Sequence, residues 1–359
     1  MTTDQTPIWD EPVRGRAAEP GLLRLSGLEQ LLSGIQGRTP APPIHHLTGL
    51  RPSEAGIGRA TFVMPATEWL QNPAGIFSGG VLAFLADAPF GAAVATGLPV
   101  GKVITTAELS MSFLRPATPK SGTLIGRGTA LHSGRSVGLS QVHVEDGEGR
   151  MLAHGTSRLV IIDLPVDETV PIPGPDPAIT DPPDPYLRPV RGTVHDPAFF
   201  DAASGLDILE GFIDRRFDAP PLGYLIDGGP VAAAEGRCTW RMQTSRWLSS
   251  PGFPLYGGAI ALLADLALGG SIQTTLPAGT TFGMLDLKVQ FVRPVLPGTG
   301  DLVAEAEVTH RGRSIAIANA VLRNAEGKSV AFATGSAMVV PGGIAQLLRA
   351  EPPAPTTVQ

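Results

Sequence analysis

Two carboxylates stand where an apolar helix should hold none. In the stretch Asn72 to Asp87, NPAGIFSGGVLAFLAD, an irregular loop closes on Gly79 and Gly80 and runs into a Leu/Ala/Phe-rich helix that carries Asp87 two turns in. The stretch Ser250 to Asp265, SSPGFPLYGGAIALLAD, repeats the design with Gly257 and Asp265. A glycine pair at a helix start leaves amide N–H groups without intrahelical partners and without side chains in front of them, so a carbonyl oxygen or an anion can come close. A carboxylate among apolar side chains is costly unless it has partners or a task, and the task such a group suits is that of base or nucleophile. Gly79 and Asp87 lie roughly 12 Å apart along a helix, too far to serve one small reacting group. A second helix packed antiparallel would bring Asp265 to Gly79 and Asp87 to Gly257.

The chain supplies that second helix by duplication. A constant shift aligns residues 26–162 with 204–340 without a gap, pairing SGLEQLLSGIQGR with SGLDILEGFIDRR, Trp69 with Trp247 and Phe113 with Phe291. A repeat this long is a whole domain. Each copy opens with a short amphipathic helix; in the first, Leu28, Leu31, Leu32 and Ile35 fall at helical spacing. After the apolar helix the period changes to two. Leu109, Met111 and Phe113 alternate with Glu108, Ser110 and Ser112, as Leu287, Val289 and Phe291 do with Asp286, Lys288 and Gln290. These are half-buried strands, ended by Pro116 and Pro294 because proline cannot donate to a ladder. Two more strands follow in each copy, joined by turns at SGRS and DGEGR, then at RGRS and NAEGK. One long helix amid antiparallel strands places each copy in the α+β class. Pro89, which has Ala267 as its counterpart, should kink the first helix or free a carbonyl one turn earlier.

The expected organisation is a disordered, Pro-rich N-terminus over residues 1–20, a first domain over 21–163, an extended, semi-stiff Pro-rich linker over 164–198, a second domain over 199–341 and a frayed tail over 342–359. A net charge of −6 with scattered lysines and arginines offers no basic stripe for nucleic acid. The most apolar window, GGAIALLADLALGGSI, is shorter than a bilayer span and holds Asp265, so it reads as a core helix and not as a membrane segment. The polar, acidic N-terminus does not read as a secretory signal, and the single cysteine, Cys238, fits a reducing compartment and a place in a strand core. The cytoplasm is the expected location. His132 and His310 have no metal-ligand spacing and read as turn residues, and nucleotide-phosphate loops, zinc signatures and serine elbows are missing, so neither a metal nor a resident cofactor is expected.

The order of these motifs resembles the PaaI-like (phenylacetate-type) family of hotdog-fold acyl-CoA thioesterases. The family pattern of Asn, Gly, His-Gly-Gly and a following acid is met by Asn72, Gly75, Gly79, Gly80 and Asp87. The likeness continues through TAELSMSFLRP (106–116) and the HSGR turn, and in the second copy through LDLKVQFVRP (285–294) and HRGR. The family His is Ser78 in one copy and Tyr256 in the other, while Asn72 and Gly75 become Ser250 and Phe253. The resemblance implies a tandem double hotdog, two antiparallel sheets each wrapped around a long central helix and joined as a pseudo-dimer. It implies hydrolysis of an acyl-CoA to the free acid and coenzyme A, the coenzyme being part of the substrate. The acid would be base or nucleophile, and the N–H of Gly79 or Gly257 in the opposite copy would receive the developing oxyanion. Asn72 would orient water or the thioester, or else cap its own loop.

Two unequal composite sites follow: Asn72, Ser78, Gly79 and Gly80 with Asp265, and Ser250, Tyr256 and Gly257 with Asp87. The second is crowded by Tyr256 and Phe253. Arg135 and Arg313, in the HxGR turns, either meet the coenzyme phosphates or are solvated turn residues. Many hotdog dimers pair again, which here would give a homodimer of the tandem chain. A non-catalytic acyl-CoA binder is the second reading, prompted by the replaced histidines, and a hotdog hydratase the third, since Leu70 to Gly75 lacks that family's acid and His.

Overall fold

The computed structural model describes residues 7–179 and 181–349. Eight helices alternate with twelve strands among these residues. In the first repeat they are α1 (Gly27–Ile35), α2 (Pro43–Thr48), β1 (Arg51–Gly56), β2 (Arg59–Pro65), α3 (Gly79–Ala95), β3 (Lys102–Phe113), β4 (Thr123–Ser133), β5 (Val137–Glu145) and β6 (Met151–Asp163). A one-turn α4 (Pro197–Asp201) precedes the second repeat: α5 (Gly205–Ile213), α6 (Pro221–Ile226), β7 (Gly228–Ala234), β8 (Arg237–Gln243), α7 (Gly257–Gln273), β9 (Thr280–Phe291), β10 (Asp301–Arg311), β11 (Ile315–Arg323) and β12 (Ser329–Pro341), followed by α8 (Gly343–Arg349).

Local chemistry accounts for the element starts. Ser26 caps α1 and exchanges bonds with Glu29, a capping box, and Ser204 caps α5. Leu109 and Met111 turn inward from β3 and are buried, as the alternation requires. All twelve strands join one antiparallel sheet in the order β1-β2-β4-β5-β6-β3-β9-β12-β11-β10-β8-β7. Its two halves meet at β3 and β9, where Ser110 faces Lys288, its own counterpart in the repeat, and Leu109 faces Val289. A pseudo-twofold axis therefore passes between Ser110 and Lys288, and contacts across it come in reciprocal pairs. Helices α3 and α7 lie side by side at that axis, with Gly80 against Leu262 and Gly258 against Phe84, so they run antiparallel. Both are buried nearly all round, which is why hydrophobic residues appear on every face. This is the expected double hotdog.

Helix α3 runs on through Pro89 to Ala95. Three expectations are corrected. Residues 7–20 are not disordered: Ile8 and Arg14 are buried, the Ile8 carbonyl accepts from Trp247 Nε1 at 2.9 Å, and Ala18 N–H donates to Pro251 O at 2.9 Å. Residues 1–6 lie outside the described residues. The segment between the repeats is no free spacer, because it repeats the same clasp on the first copy. Arg188 O accepts from Trp69 Nε1 at 3.1 Å, and His195 N–H donates to Pro73 O at 2.8 Å. A buried indole N–H needs an acceptor, and for each tryptophan the strap that precedes the opposite repeat provides one. Of the tail, residues 343–349 form α8, with Ile344 buried, and residues 350–359 lie outside the described residues.

Candidate active site

The antiparallel helix pair brings the two acids to the glycine pairs of the opposite repeat. Gly80 N–H donates to Asp265 Oδ2 at 2.8 Å, and Gly258 N–H donates to Asp87 Oδ2 at 2.9 Å. The glycines are needed for approach: a Cβ on Gly80 would stand 2.8 Å from Asp265 Cβ, and one on Gly257 would stand 2.8 Å from Asp87 Oδ2. The second glycine of each pair, and not the first, thus holds the acid. Gly80, expected to touch substrate, is instead the anchor of Asp265. Gly79, at the first helical position, has no intrahelical acceptor, and its N–H has no other partner among the described residues.

Beyond these reciprocal bonds the two sites diverge. Asp87 is fully engaged, because Thr106 Oγ1 donates to its Oδ1 at 3.0 Å. The counterpart of Thr106 is Met284, which has no hydroxyl, and Asp265 Oδ1 is buried without a partner. Burial pushes both carboxyls up, Asp87 to about 6 against the bonds from Thr106 and Gly258, and Asp265 to about 7 against the single bond from Gly80. The less satisfied acid is the one held closer to neutral pH.

A cavity of about 1090 Å³ opens on Asp265 and not on Asp87. Asn72, Ser78 and Gly79 line it from the loop and start of α3, and Ile208, Phe212, Trp240, Phe282 and Met284 give it an apolar wall. Ser78 Oγ, on this wall, is buried and unpartnered. Asn72 reaches it as well, but its Oδ1 accepts from Ala74 N–H at 2.9 Å and Ile76 N–H at 3.3 Å, so the oxygen shapes its own loop. On the other side Tyr256 is a filler and not a substrate contact. Its ring meets Phe84 edge to face with centroids 5.0 Å apart, its hydroxyl donates to Phe84 O at 2.8 Å, and it is 5% exposed. Gly257 does not line the cavity. Phe253, in the place of Gly75 (φ +76°), keeps the loop shape at φ +84°, a region that a bulky side chain resists.

Arg135 and Arg313 are exposed on their hairpin turns and do not line the cavity. The arginines that do, among them Arg191 in the connecting segment and Arg215 after α5, were missed because neither belongs to a motif. Comparison of the repeats held one signal, since Arg215 replaces Gly37.

Comparison with known proteins bears on the fold and on the class of reaction. A thioesterase superfamily model matches residues 74–153 and 255–331, the loop, helix and following strands of each repeat. A putative esterase of Halobacterium salinarum is 27% identical over 148 residues, which is 38% of this chain and 93% of that protein. Among solved structures, the tesB protein of Mycobacterium avium subsp. paratuberculosis superposes with a TM-score of 0.51 at 15% identity over 88% of this chain and 100% of that one. A hot dog fold protein of unknown function from Alicyclobacillus acidocaldarius gives 0.53 at 15% identity over 84% and 98%. These two likenesses concern the fold. With the family match falling on both repeats, the chain is a thioester hydrolase of the hotdog fold.

Proposed function

We propose that the chain hydrolyses an acyl-CoA thioester at a single composite site, in the manner of the PaaI type, with its loop from the first repeat and its acid from the second. The observation that carries this reading is the asymmetry of the acids. Asp265 keeps one buried oxygen unpaired on a cavity that also holds the unpaired Gly79 N–H, while Asp87 is bonded through both oxygens away from it. In the proposed reaction Asp265 Oδ1 takes a proton from water as the oxygen attacks the thioester carbonyl carbon. The oxyanion forms toward Gly79 N–H, where one such donor is typically worth about 100- to 1,000-fold in rate. Collapse breaks the carbon–sulfur bond, and the departing thiolate recovers the proton from Asp265, giving acid and thiol. Direct attack by Asp265 would instead give a mixed anhydride that water then cleaves. Ser78 Oγ, unpartnered beside Gly79, suits a role in orienting the water or the carbonyl. This chemistry needs no resident cofactor. The same proposal places the enzyme in the cytoplasm and as a homodimer of the tandem chain.

The test is steady release of coenzyme A thiol from a panel of acyl-CoA substrates by the full chain, with Asp265→Asn as the paired variant. Turnover that collapses in the variant supports the proposal. Tight acyl-CoA binding with no turnover in either protein would replace it with the binder reading.

A further inference from the structure

We infer that His195 is a positioning residue of the active site: its imidazole, packed as an aromatic ring among Phe199, Phe212 and Phe217, fixes the strap that holds the catalytic loop before α3. This deepens the hydrolase reading and rests on it for the loop's role. The loop from Asn72 to Phe77 is tied mostly to itself, through Asn72 Oδ1 and through Gln71 Nε2, which donates to Gly75 O at 3.1 Å. Its ends are anchored by Leu222 N–H on Gln71 O at 3.1 Å and by Phe77 N–H on Ala117 O at 2.8 Å. Between these anchors, among the described residues, one hydrogen bond comes from another element, His195 N–H on Pro73 O. The neighbouring Val194 closes on the same loop, since a Cβ on Gly75 would stand 3.0 Å from its Cγ1. Where Ser78 and Gly79 stand against Asp265 thus depends on where two strap residues sit.

The His195 ring sets that place. It stacks on Phe199 of α4 with centroids 3.9 Å apart and planes 15° from parallel. It meets Phe212 of α5 and Phe217 beyond that helix edge to face, at 6.1 and 6.0 Å. Stacked and edge-to-face contacts favour defined ring positions, and the backbone at residue 195 inherits one. Its Nε2 is buried without a hydrogen-bond partner, so the imidazole serves through its faces and edges and not as a donor or acceptor. Burial lowers its pKa, against the pull of the nearby Asp196 and Asp218 carboxylates, which keeps the ring uncharged at neutral pH. Phe212 and Phe217 also line the cavity, so the residue that holds the loop rests on the wall against which the acyl group would lie. The device belongs to one site only. In the second loop Pro251 O takes its bond from Ala18, which has no ring, and Phe212 and Phe217 stand where the first repeat has Gly34 and Thr39.

The experiment compares the full-length wild type with His195→Ala and His195→Phe, by initial rates on one acyl-CoA and by amide hydrogen exchange without substrate. His195→Ala should lower kcat roughly tenfold, a loss of the order that a small displacement of a reacting group brings, with KM within about twofold. His195→Phe, which keeps a flat uncharged ring, should retain at least about half of the wild-type kcat. Exchange of the amides over 72–79 should quicken roughly tenfold in His195→Ala. That of the amides over 250–257, whose strap bond comes from Ala18, should stay as in the wild type. General destabilisation would quicken both loops alike and overturn the inference, as would an unchanged kcat in His195→Ala or a failure of His195→Phe to keep it. If the wild type does not cleave acyl-CoA, the hydrolase reading fails separately. The exchange pattern alone then decides, and a first loop no faster in His195→Ala than in the wild type rejects the positioning role.

Discussion

Asp87 and Asp265 are the same group at the same turn of the same repeated helix, and one hydroxyl separates them. Thr106 satisfies Asp87, whereas Met284 leaves Asp265 Oδ1 unpaired. Asp265→Asn keeps the shape and the bond from Gly80 but offers no base, so hydrolysis should fall at least 100-fold, in line with loss of a general base. Asp87→Asn should cost less than threefold in initial rate on the same acyl-CoA, on the same scale. Equal losses would mean two working sites. The pH behaviour follows from the raised carboxyl. Since Asp265 must be ionised to act, kcat/KM should climb with pH and level off above about 7. Stability should run the other way. The folded state keeps a proton on Asp265 up to about 7, while the unfolded chain releases it near 3.8, so stability is lost as pH rises through that window. Asp265→Asn removes part of that loss. Its Tm at pH 8 should exceed the wild-type value, and an equal or lower Tm measured by calorimetry would refute the linkage.

At the scale of elements, the two loops before α3 and α7 have the same course but different chemistry. Asn72 Oδ1 ties the first loop together and Gly75 accepts the left-handed backbone; in the second, Ser250 is shorter and Phe253 occupies φ +84° at 38% exposure. Phe253→Gly should therefore stabilise the fold by about 1 kcal/mol, because relief of strain outweighs the small burial lost. Denaturant unfolding checks this; a lower midpoint with an unchanged slope would show that the ring contributes more through packing than its backbone costs. Asn72→Ala removes two bonds that shape the catalytic loop and should lower kcat/KM roughly tenfold, about the worth of a modest hydrogen bond. Ser250→Ala should leave hydrolysis nearly unchanged.

For the whole molecule, the central ladder and the helix pair bind the repeats into one cooperative body. Sheet pairing of β3 with β9 runs through Glu108 to Ser112, and each acid crosses to the other repeat's glycines. The straps add to this, since residues 7–20 serve the second repeat and residues 188–195 serve the first loop. Neither repeat alone contains a loop and an acid for the same site. A chain cut in the connecting segment should be active only while both pieces remain together, and each purified half should be inactive. Activity in the isolated first half would show that its site does not need Asp265.

Much of this was legible in the sequence. The repeat and the helix and strand periods determined a duplicated α+β domain, the motif order carried the resemblance that implied a double hotdog, and the Gly-Gly-to-acid spacing required that each acid act across the pair, because a helix of fixed rise cannot bring Gly79 to Asp87. The sequence also marked the second site as crowded, through Tyr256 and Phe253. Tertiary structure alone decided the rest. Which glycine holds the acid depends on the phase of α3 against α7, and that is set by how closely Gly80 lets Leu262 approach. The inequality of the acids depends on strand neighbours, Thr106 and Met284, whose reach to a helix residue no periodicity encodes. Arg135 and Arg313 looked suited to phosphates by type alone, yet the hairpins carry them away from the cavity, whereas Arg191 and Arg215 are brought to its rim by irregular chain. Irregular segments have no repeating pattern to read, since their course is fixed by single bonds to distant elements, and those bonds form only once the sheet and helix pair exist.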